Sequence, residues 1–565
     1  MTKTNNVLEL NLKSSNFRLP LSKFTQLWRS IAFVLMGMFS LTTPVAEAAP
    51  KPKHIFIVTS DDQGWIQAGC YGHPFLKTPH LDAMAENGLR FERFYANAPV
   101  CSPTRAGILT GRSNNRTGVL EHGYNLNLEE KTFIQSLRKA GFATGHFGKW
   151  HLNGIRGPGV PILKDDPYHP GNYGFSHWLT STNFIDYHPL LSERGCFDQT
   201  KGDSSEVIVD RALAFIEKAV KAQKPSLSVI WYGAPHSPWI ASESDRAPFS
   251  HLPIAEQHHY GELVAMDRSI GTLRNGLRKL GIAENTLIWF SSDNGGLRKN
   301  FGENAVGPLR GGKKELWEGG LRVPCIIEWP AVIKQAVVKT PCSTLDIAPT
   351  IIDLLDLPAD LLLTPVDGES ISPIFTGAEM PGHRPIPIAM WDKGAWIDHE
   401  FKFVRDGKSE YLFNLEKDPR EQHDLSSSHP EQHAKMRRKL DRFLNSIKAS
   451  QAGKDYANGL NTPRRDVQWR DHPEYADYLD QFTESLKASQ PQKSGQSRKT
   501  SWNSQEEWNR DRPTIKWIFP FIDKNSDGKI DSDEYEAIQE YKKKHRRDWM
   551  DRARKELGLT APKDQ

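Results

Sequence analysis

Two hydrophobic periods alternate along this chain. Short apolar runs rich in branched residues occur at 54–60 (HIFIVTS), 227–232, 286–291 and 325–328. Between and around them, residues 81–87, 132–140, 205–222 and 259–280 carry apolar side chains at helical spacing. Compact apolar runs fit strands buried on both faces, and strands alternating with helices predict a largely parallel sheet sandwiched by helices, an α/β fold. Ligands of such sheets sit beyond the C-terminal ends of the strands. Asp61 and Asp62 follow the first run, and Asp293 and Asn294 the third, so the pattern delivers four oxygen donors to that edge.

After about residue 382 the pattern changes. Residues 386–391, 402–405 and 411–414 read as short strands between tight polar turns, followed by a helix over 431–446. This predicts a small antiparallel sheet with one packing helix. The expected organisation is a catalytic α/β domain at 53–380, the antiparallel subdomain at 381–449, a polar linker at 450–512 and a C-terminal segment at 513–548. The linker is rich in Gln, Ser, Lys, Asn and Pro, a composition that buries little apolar surface. Everything from Ser450 onward is therefore expected to be separable from catalysis, with 475–482 the first suspects for any contact with the core.

Composition narrows the picture. The 73 Lys and Arg against 69 Asp and Glu leave a formal charge of +4. No dense basic stripe interleaved with aromatics marks a nucleic-acid surface. At the N-terminus, Lys23 and Arg29 precede an apolar run at 31–41 and a small-x-small site at Ala46-Glu47-Ala48. That predicts a signal peptide over 1–48 and export to the periplasm, cell surface or medium, since the run is short of the ~20 residues a span requires. Five cysteines, at 70, 101, 196, 325 and 342, leave at least one unpaired in an exported chain, and no C-x-x-C pair suggests zinc.

Cys101 has the most informative surroundings, PVCSPTRAGILTGR. Ser102 is a good helix N-cap and Pro103 suits the first helical turn, which predicts Cys101 just before a helix N-terminus that favours an anion. Arg105 adds a fixed positive charge. The placement is compatible with a thiol of lowered pKa acting as nucleophile, and equally with a buried structural cysteine.

The segment Cys101-Ser102-Pro103-Thr104-Arg105, with Gly111-Arg112 behind it, resembles the C-x-P-x-R motif of type I sulfatases. Further segments resemble that family in its own order: Asp61-Asp62, Gly148-Lys149-Trp150-His151, Pro235-His236-Ser237-Pro238, Ser292-Asp293-Asn294-Gly295, and Leu309-Arg310-Gly311-Gly312-Lys313 followed by Glu318-Gly319-Gly320-Leu321-Arg322. The resemblance covers roughly 53–446 and implies an alkaline-phosphatase-like fold. It implies that a maturation enzyme oxidises Cys101 to formylglycine, whose hydrate attacks sulfur with one hydroxyl and later expels sulfate with the other. It further implies that Asp61, Asp62, Asp293 and Asn294, with the matured Cys101, hold a cation. Four oxygen donors favour calcium, with magnesium second. Lys149 and Lys313 would bind sulfate oxygens, Arg105 orient the nucleophile, His236 protonate the leaving alcohol and His151 accept the proton that triggers sulfate release. Asn183 is a further sulfate contact on the same grounds. His73, Asp186, Tyr187, His188, Trp239, Arg298 and Trp391 are candidate substrate-side residues.

Residues 523–534 (DKNSDGKIDSDE) independently fit the EF-hand template, with Asp523, Asn525, Asp527, the Lys529 carbonyl and Glu534 as ligands of a second calcium. The expected protein is a sulfuric ester hydrolase acting on sulfated carbohydrate, or on aryl sulfate as a model substrate, leaning toward the N-acetylgalactosamine-6-sulfatase-like branch. The alternatives are a phosphoester or phosphonate hydrolase of the same superfamily and a catalytically silent, calcium-binding glycan-binding protein.

Overall fold

The computed structural model describes residues 50–184, 187–380, 384–457, 459, 464–488, 503–511, 518–545 and 549–557; the expected signal peptide and Asp186 lie outside them. Among these residues one sheet has ten strands. Its centre is parallel, in the order Thr286–Ser292, His54–Ser60, Ser226–Trp231, Ala143–Lys149 and His177–Ser181. Antiparallel strands extend both edges: Cys325–Glu328 and Leu89–Phe91 on one side, Leu190–Glu193 and Cys196–Gln199 on the other.

Side chains alternate between two cores, as the pleat requires. Ile55 and Ile57 pack with Val229, Leu287 and Trp289 beneath the helices Cys101–Thr110, Phe133–Lys139 and Ile347–Leu354. Phe56 and Val58 pack with Ile230, Ile288 and Phe290 beneath Pro79–Glu86, Ser204–Lys221 and Ile254–Lys279. These strand side chains are buried, and each contributes about 1.5–3 kcal/mol of transfer free energy. Hydrophobic pattern does not reveal the strand Ala143–Lys149 (ATGHFGK), which holds two glycines and one large apolar residue. Contact requires its composition: Gly148 has φ +103°, and a Cβ there would meet the Trp231 carbonyl oxygen at 2.1 Å.

The second sheet is a four-stranded meander, Ile386–Met390, Lys393–Asp398, Phe401–Asp406 and Ser409–Asn414. One face carries the helix Pro430–Gln451 through Met436, Leu440, Phe443 and Ile447. The opposite face sets Ile388, Ile397 and Phe413 against Val100, Cys101, Leu316 and Trp317. The meander thus supports the start of the Cys101 helix.

Over its described residues up to 488, the linker expected at 450–512 is corrected by the structure. The Arg112 Nη2 pairs with Asp455 at 2.7 Å, and the Tyr456 hydroxyl donates to Glu130 at 2.9 Å. Val467–Gln468 then pairs in parallel with Ile155–Arg156. Trp469, Tyr475 and Phe482 are buried with Ile155, Val160, Leu163 and Leu190. Composition misleads here because a few large aromatic side chains do the work of a longer apolar run. Further on, Trp508, Phe519, Phe521, Ile522, Ile530, Ile538 and Ala553 form an apolar cluster of their own around the loop at 523–534. No helix among the described residues is long and apolar enough to cross a membrane.

Phe482→Ala is expected to weaken the seating of 464–488 by about 3–5 kcal/mol. Amide exchange should then quicken across that segment, while exchange in the central strands stays slow.

Candidate active site

Both pairs of oxygen donors sit where adjacent parallel strands end. Ser60 lies beside Ser292 in register, so Asp61-Asp62 and Asp293-Asn294 leave the sheet side by side. The Asp62 backbone N–H donates to Asp293 Oδ1 at 3.2 Å, and Asn294 Nδ2 donates to Asp62 Oδ1 at 2.8 Å. Asp62 has φ 67° and His151 has φ 57°, left-handed conformations that non-glycine residues hold only when surroundings enforce them.

Cations interleave with these acids. Arg105 donates from Nε and Nη2 to Asp293 Oδ2, at 3.0 and 2.7 Å, and from Nη2 to Asp61 Oδ2 at 3.3 Å. Its Nη1 donates to the Lys149 carbonyl at 3.2 Å, and its guanidinium lies 4.9 Å from the Trp231 ring centroid. Lys149 pairs with Asp61, and the Lys313 Nζ reaches Asp62 Oδ1 at 2.6 Å. His236 Nε2 stands 3.7 Å from Asp62 Oδ2, with its ring stacked on Phe184. Three buried carboxylates thus face three cations, Arg105, Lys149 and Lys313. Burial opposes ionisation of Asp61, but Lys149, His236, Arg105 and Lys313 together hold its pKa low. Asp293 goes the other way, up to about 6, because burial and the neighbouring Asp61 outweigh Arg105 and Lys149.

Cys101 is the first residue of the helix Cys101–Thr110, and Val100 occupies the cap position without a side-chain cap. The expected N-cap, Ser102, has a different task. Its hydroxyl donates to the His151 carbonyl and accepts from the Gly123 N–H, both at 2.7 Å. This holds the His151 ring so that Nδ1 lies 3.3 Å from Cys101 Sγ. Burial pushes the Cys101 thiol up despite Lys149 and Lys313, so the lowered pKa considered from sequence is not found. Burial, with Lys149 and Arg105 nearby, keeps His151 neutral. Burial and Lys313 lower His236 to about 4. No cysteine among the described residues forms a disulfide.

A cavity of about 350 Å³ opens over this centre. Cys101, His151, Asn183, His236 and Lys313 line it, while Arg105 and Lys149 lie buried beneath. His73, Tyr187, His188, Trp239, Arg298 and Trp391, expected on the substrate side, do not line it; His73 instead sits near the Asn304 carbonyl. Walls that sequence reasoning missed include His122, Arg156, Gly157, Pro158 and Gln468. None belongs to a motif, so no local signal could have marked them.

Two buried oxygens at the centre, Asp61 Oδ1 and Asn294 Oδ1, have no hydrogen-bond partner. Ligand atoms of Asp61, Asp62 and His236 lie within 4.8 Å of one another, the one such group of acidic, histidine or cysteine side chains among the described residues. In the loop at 523–534, Glu534 accepts from the Lys524 and Asn525 N–H groups and Asp523 from those of Asp527 and Gly528. Gly528 provides the turn, with φ 78°.

The Lys313 loop is anchored to the meander by buried charges. Lys402 Nζ lies 3.0 Å from Glu318 Oε1 and 2.9 Å from Glu421 Oε1, and the Glu318 N–H donates to Glu421 at 2.7 Å.

A profile of the Sulfatase family matches residues 53–357. The N-acetylgalactosamine-6-sulfatase of Canis lupus familiaris is 31% identical over 60% of this chain and 69% of its own. Arylsulfatase A of Homo sapiens is 32% identical over 58% of this chain and 69% of its own. Among solved structures, i-CgsB in complex with k-i-k-neocarrahexaose superposes with a TM-score of 0.63 at 26% identity, covering 70% of this chain and 92% of that one. The phosphonate monoester hydrolase of Agrobacterium radiobacter shares the fold at a TM-score of 0.51 and 19% identity, covering 73% of this chain and 96% of that one.

Lys402→Ala leaves two buried carboxylates without their shared cation and is expected to cost about 3–5 kcal/mol of stability. Denaturant unfolding measures it, and Lys402→Ala combined with Glu318→Gln should recover part of the loss.

Proposed function

The chain belongs to the sulfatase family and is a sulfuric ester hydrolase, and we propose that it desulfates carbohydrates outside the cytoplasm through a formylglycine formed from Cys101 and a calcium ion beside it. The observation that carries this reading is the convergence of Asp61, Asp62, Asp293 and Asn294 with Arg105, Lys149 and Lys313 at one end of the parallel strands, next to Cys101. The carbohydrate substrate class is supported by the N-acetylgalactosamine-6-sulfatase relative and by the neighbour solved with an oligosaccharide.

The donor set suits a hard cation, since three carboxylates and an amide oxygen meet calcium's preference for many oxygen ligands and two of those oxygens lack other partners. Bound there, calcium supplies a Lewis acid and a template for the sulfate group. A raised thiol pKa argues against direct attack by Cys101, whose Cβ becomes the carbon that bears the hydroxyls after maturation and whose Sγ stands in for one of their oxygens. The matured residue supplies the attacking hydroxyl and a second hydroxyl for sulfate release.

The chain's own groups then divide the work. Lys149 and Lys313 hold non-bridging sulfate oxygens and offset charge as the S–O bond to the alcohol breaks. Arg105 pins Asp293 and Asp61 and contributes positive charge beside the nucleophile. His236, beside Asp62, donates a proton to the departing alcohol oxygen; an arriving sulfate favours its protonated form. Neutral His151, with Nδ1 at the Cys101 position, accepts a proton from the nucleophilic residue. The loop at 523–534 is proposed as a separate calcium site of EF-hand type, with Asp523, Asn525, Asp527, the Lys529 carbonyl and Glu534 as ligands.

Four measurements test these assignments. Peptide mass spectrometry of active enzyme is expected to show an aldehyde at Cys101; full activity with unmodified cysteine would sink the mechanism. Lys149→Ala should lower kcat on an aryl sulfate by about 100- to 1000-fold, and the unaltered enzyme should prefer aryl sulfate to aryl phosphate, which separates a sulfatase from a phosphoester hydrolase. Calcium titration by calorimetry should lose one site in Asp293→Ala and a different one in Glu534→Gln.

A further inference from the structure

The catalytic cavity carries more positive charge than one sulfate ester needs. Lys313 belongs to the sulfate site, yet Arg156 and Lys314 line the same cavity, and no carboxylate does among the described residues. Cations on the wall of a cavity attract anions, and their contacts strengthen as water is excluded.

Arg156 is not an idle surface arginine. Its stem packs against Gly123, where an added Cβ would approach Arg156 Cγ to 2.9 Å. Gly123 is in turn bonded to Ser102, the neighbour of the nucleophile position. From the other side, Asp466 forms an ion pair with Arg156 Nε at 2.5 Å, and Gln468 pairs with Arg156 in the short parallel ladder. Gly157 permits this approach: it has φ +106°, and a Cβ there would meet Trp469 at 2.9 Å and Gln468 at 3.0 Å. The Asn183 amide donates to the Gly157 carbonyl at 2.7 Å. The guanidinium has five donors, and Asp466 meets its Nε side.

Resting on the sulfatase reading above, we infer that Arg156, held at the cavity by residues 466–469, recognises a second anionic group on the substrate, a carboxylate or sulfate carried by the sugar next to the one that loses its sulfate. Lys314 adds charge on the same cavity, and Gln468 offers a neutral partner for sugar hydroxyls. The segment 464–488 lies beyond residues 53–357, the part that the family profile matches, and it supplies Gln468 to the cavity wall.

The test uses aldehyde-bearing enzyme and three disaccharides with the same scissile sulfate ester. One has a neutral second sugar, one a uronic acid, and one a second sugar bearing its own sulfate. In the unaltered enzyme, kcat/KM for at least one charged disaccharide should exceed that for the neutral one by about tenfold or more, chiefly through KM. Rising salt should shrink the ratio. Arg156→Gln should bring it below about threefold, and Arg156→Lys should restore part of it. Because the ratio is taken within one preparation, it cancels differences in folded or matured fraction. The charged disaccharide that is favoured distinguishes carboxylate from sulfate. A ratio near one in the unaltered enzyme, a ratio untouched by Arg156→Gln, or hydrolysis of 4-nitrophenyl sulfate without any of the disaccharides overturns the inference. Failure to hydrolyse even 4-nitrophenyl sulfate, with the aldehyde verified, would instead count against the sulfatase reading itself.

Discussion

Burying Asp61, Asp62 and Asp293 side by side is possible only because Arg105, Lys149 and Lys313 are buried or half-buried with them. An isolated carboxylate in such a place would take up a proton, as the rise of the Asp293 pKa toward about 6 indicates even with its partners present. Arg105 is the hinge of the balance. It reaches two carboxylates and the Lys149 carbonyl from the first turns of the helix that begins at Cys101, so the start of that helix and the acid cluster are tied by one side chain. Its guanidinium stays charged throughout the working pH range, which a lysine in its place would not guarantee.

The rest of the architecture keeps that arrangement in register. Adjacent parallel strands bring Asp61 and Asp293 to the same level, and Ser102 ties His151 and Gly123 to the first turn of the helix. The antiparallel meander is remote in sequence, yet its apolar face packs on Cys101 and its Lys402 holds the loop that carries Lys313. A subdomain that contributes no lining residue to the cavity therefore still governs where Lys313 lies.

The C-terminal region divides into two parts with different physics. Residues 464–488 join the catalytic body through three large aromatic side chains and a two-residue ladder, and they place Gln468 in the cavity wall. Residues around 523–534 gather a separate apolar cluster about a loop of acidic side chains. Composition marks the first as a polar linker. Only the first is a wall of the active site.

The sequence by itself determined the family and marked the candidate site residues. Asp61-Asp62, the Cys101 segment, Lys149-Trp150-His151, His236, Asp293-Asn294 and Lys313 are legible because each stands in a contiguous motif, and motifs survive without knowledge of the fold. It also determined the α/β class, since buried strands and amphipathic helices differ in hydrophobic period. Tertiary structure alone decided three things. The weakly apolar strand Ala143–Lys149 is set by close approach of Gly148 to Trp231, which no hydrophobic count registers. The Cys101 thiol pKa is pushed up by burial, which outweighs the nearby Lys149 and Lys313. The cavity walls Arg156 and Gln468 are set by pairing between segments far apart in the chain. Local sequence encodes what a residue can do; which residues meet depends on the long-range contacts that bury them together.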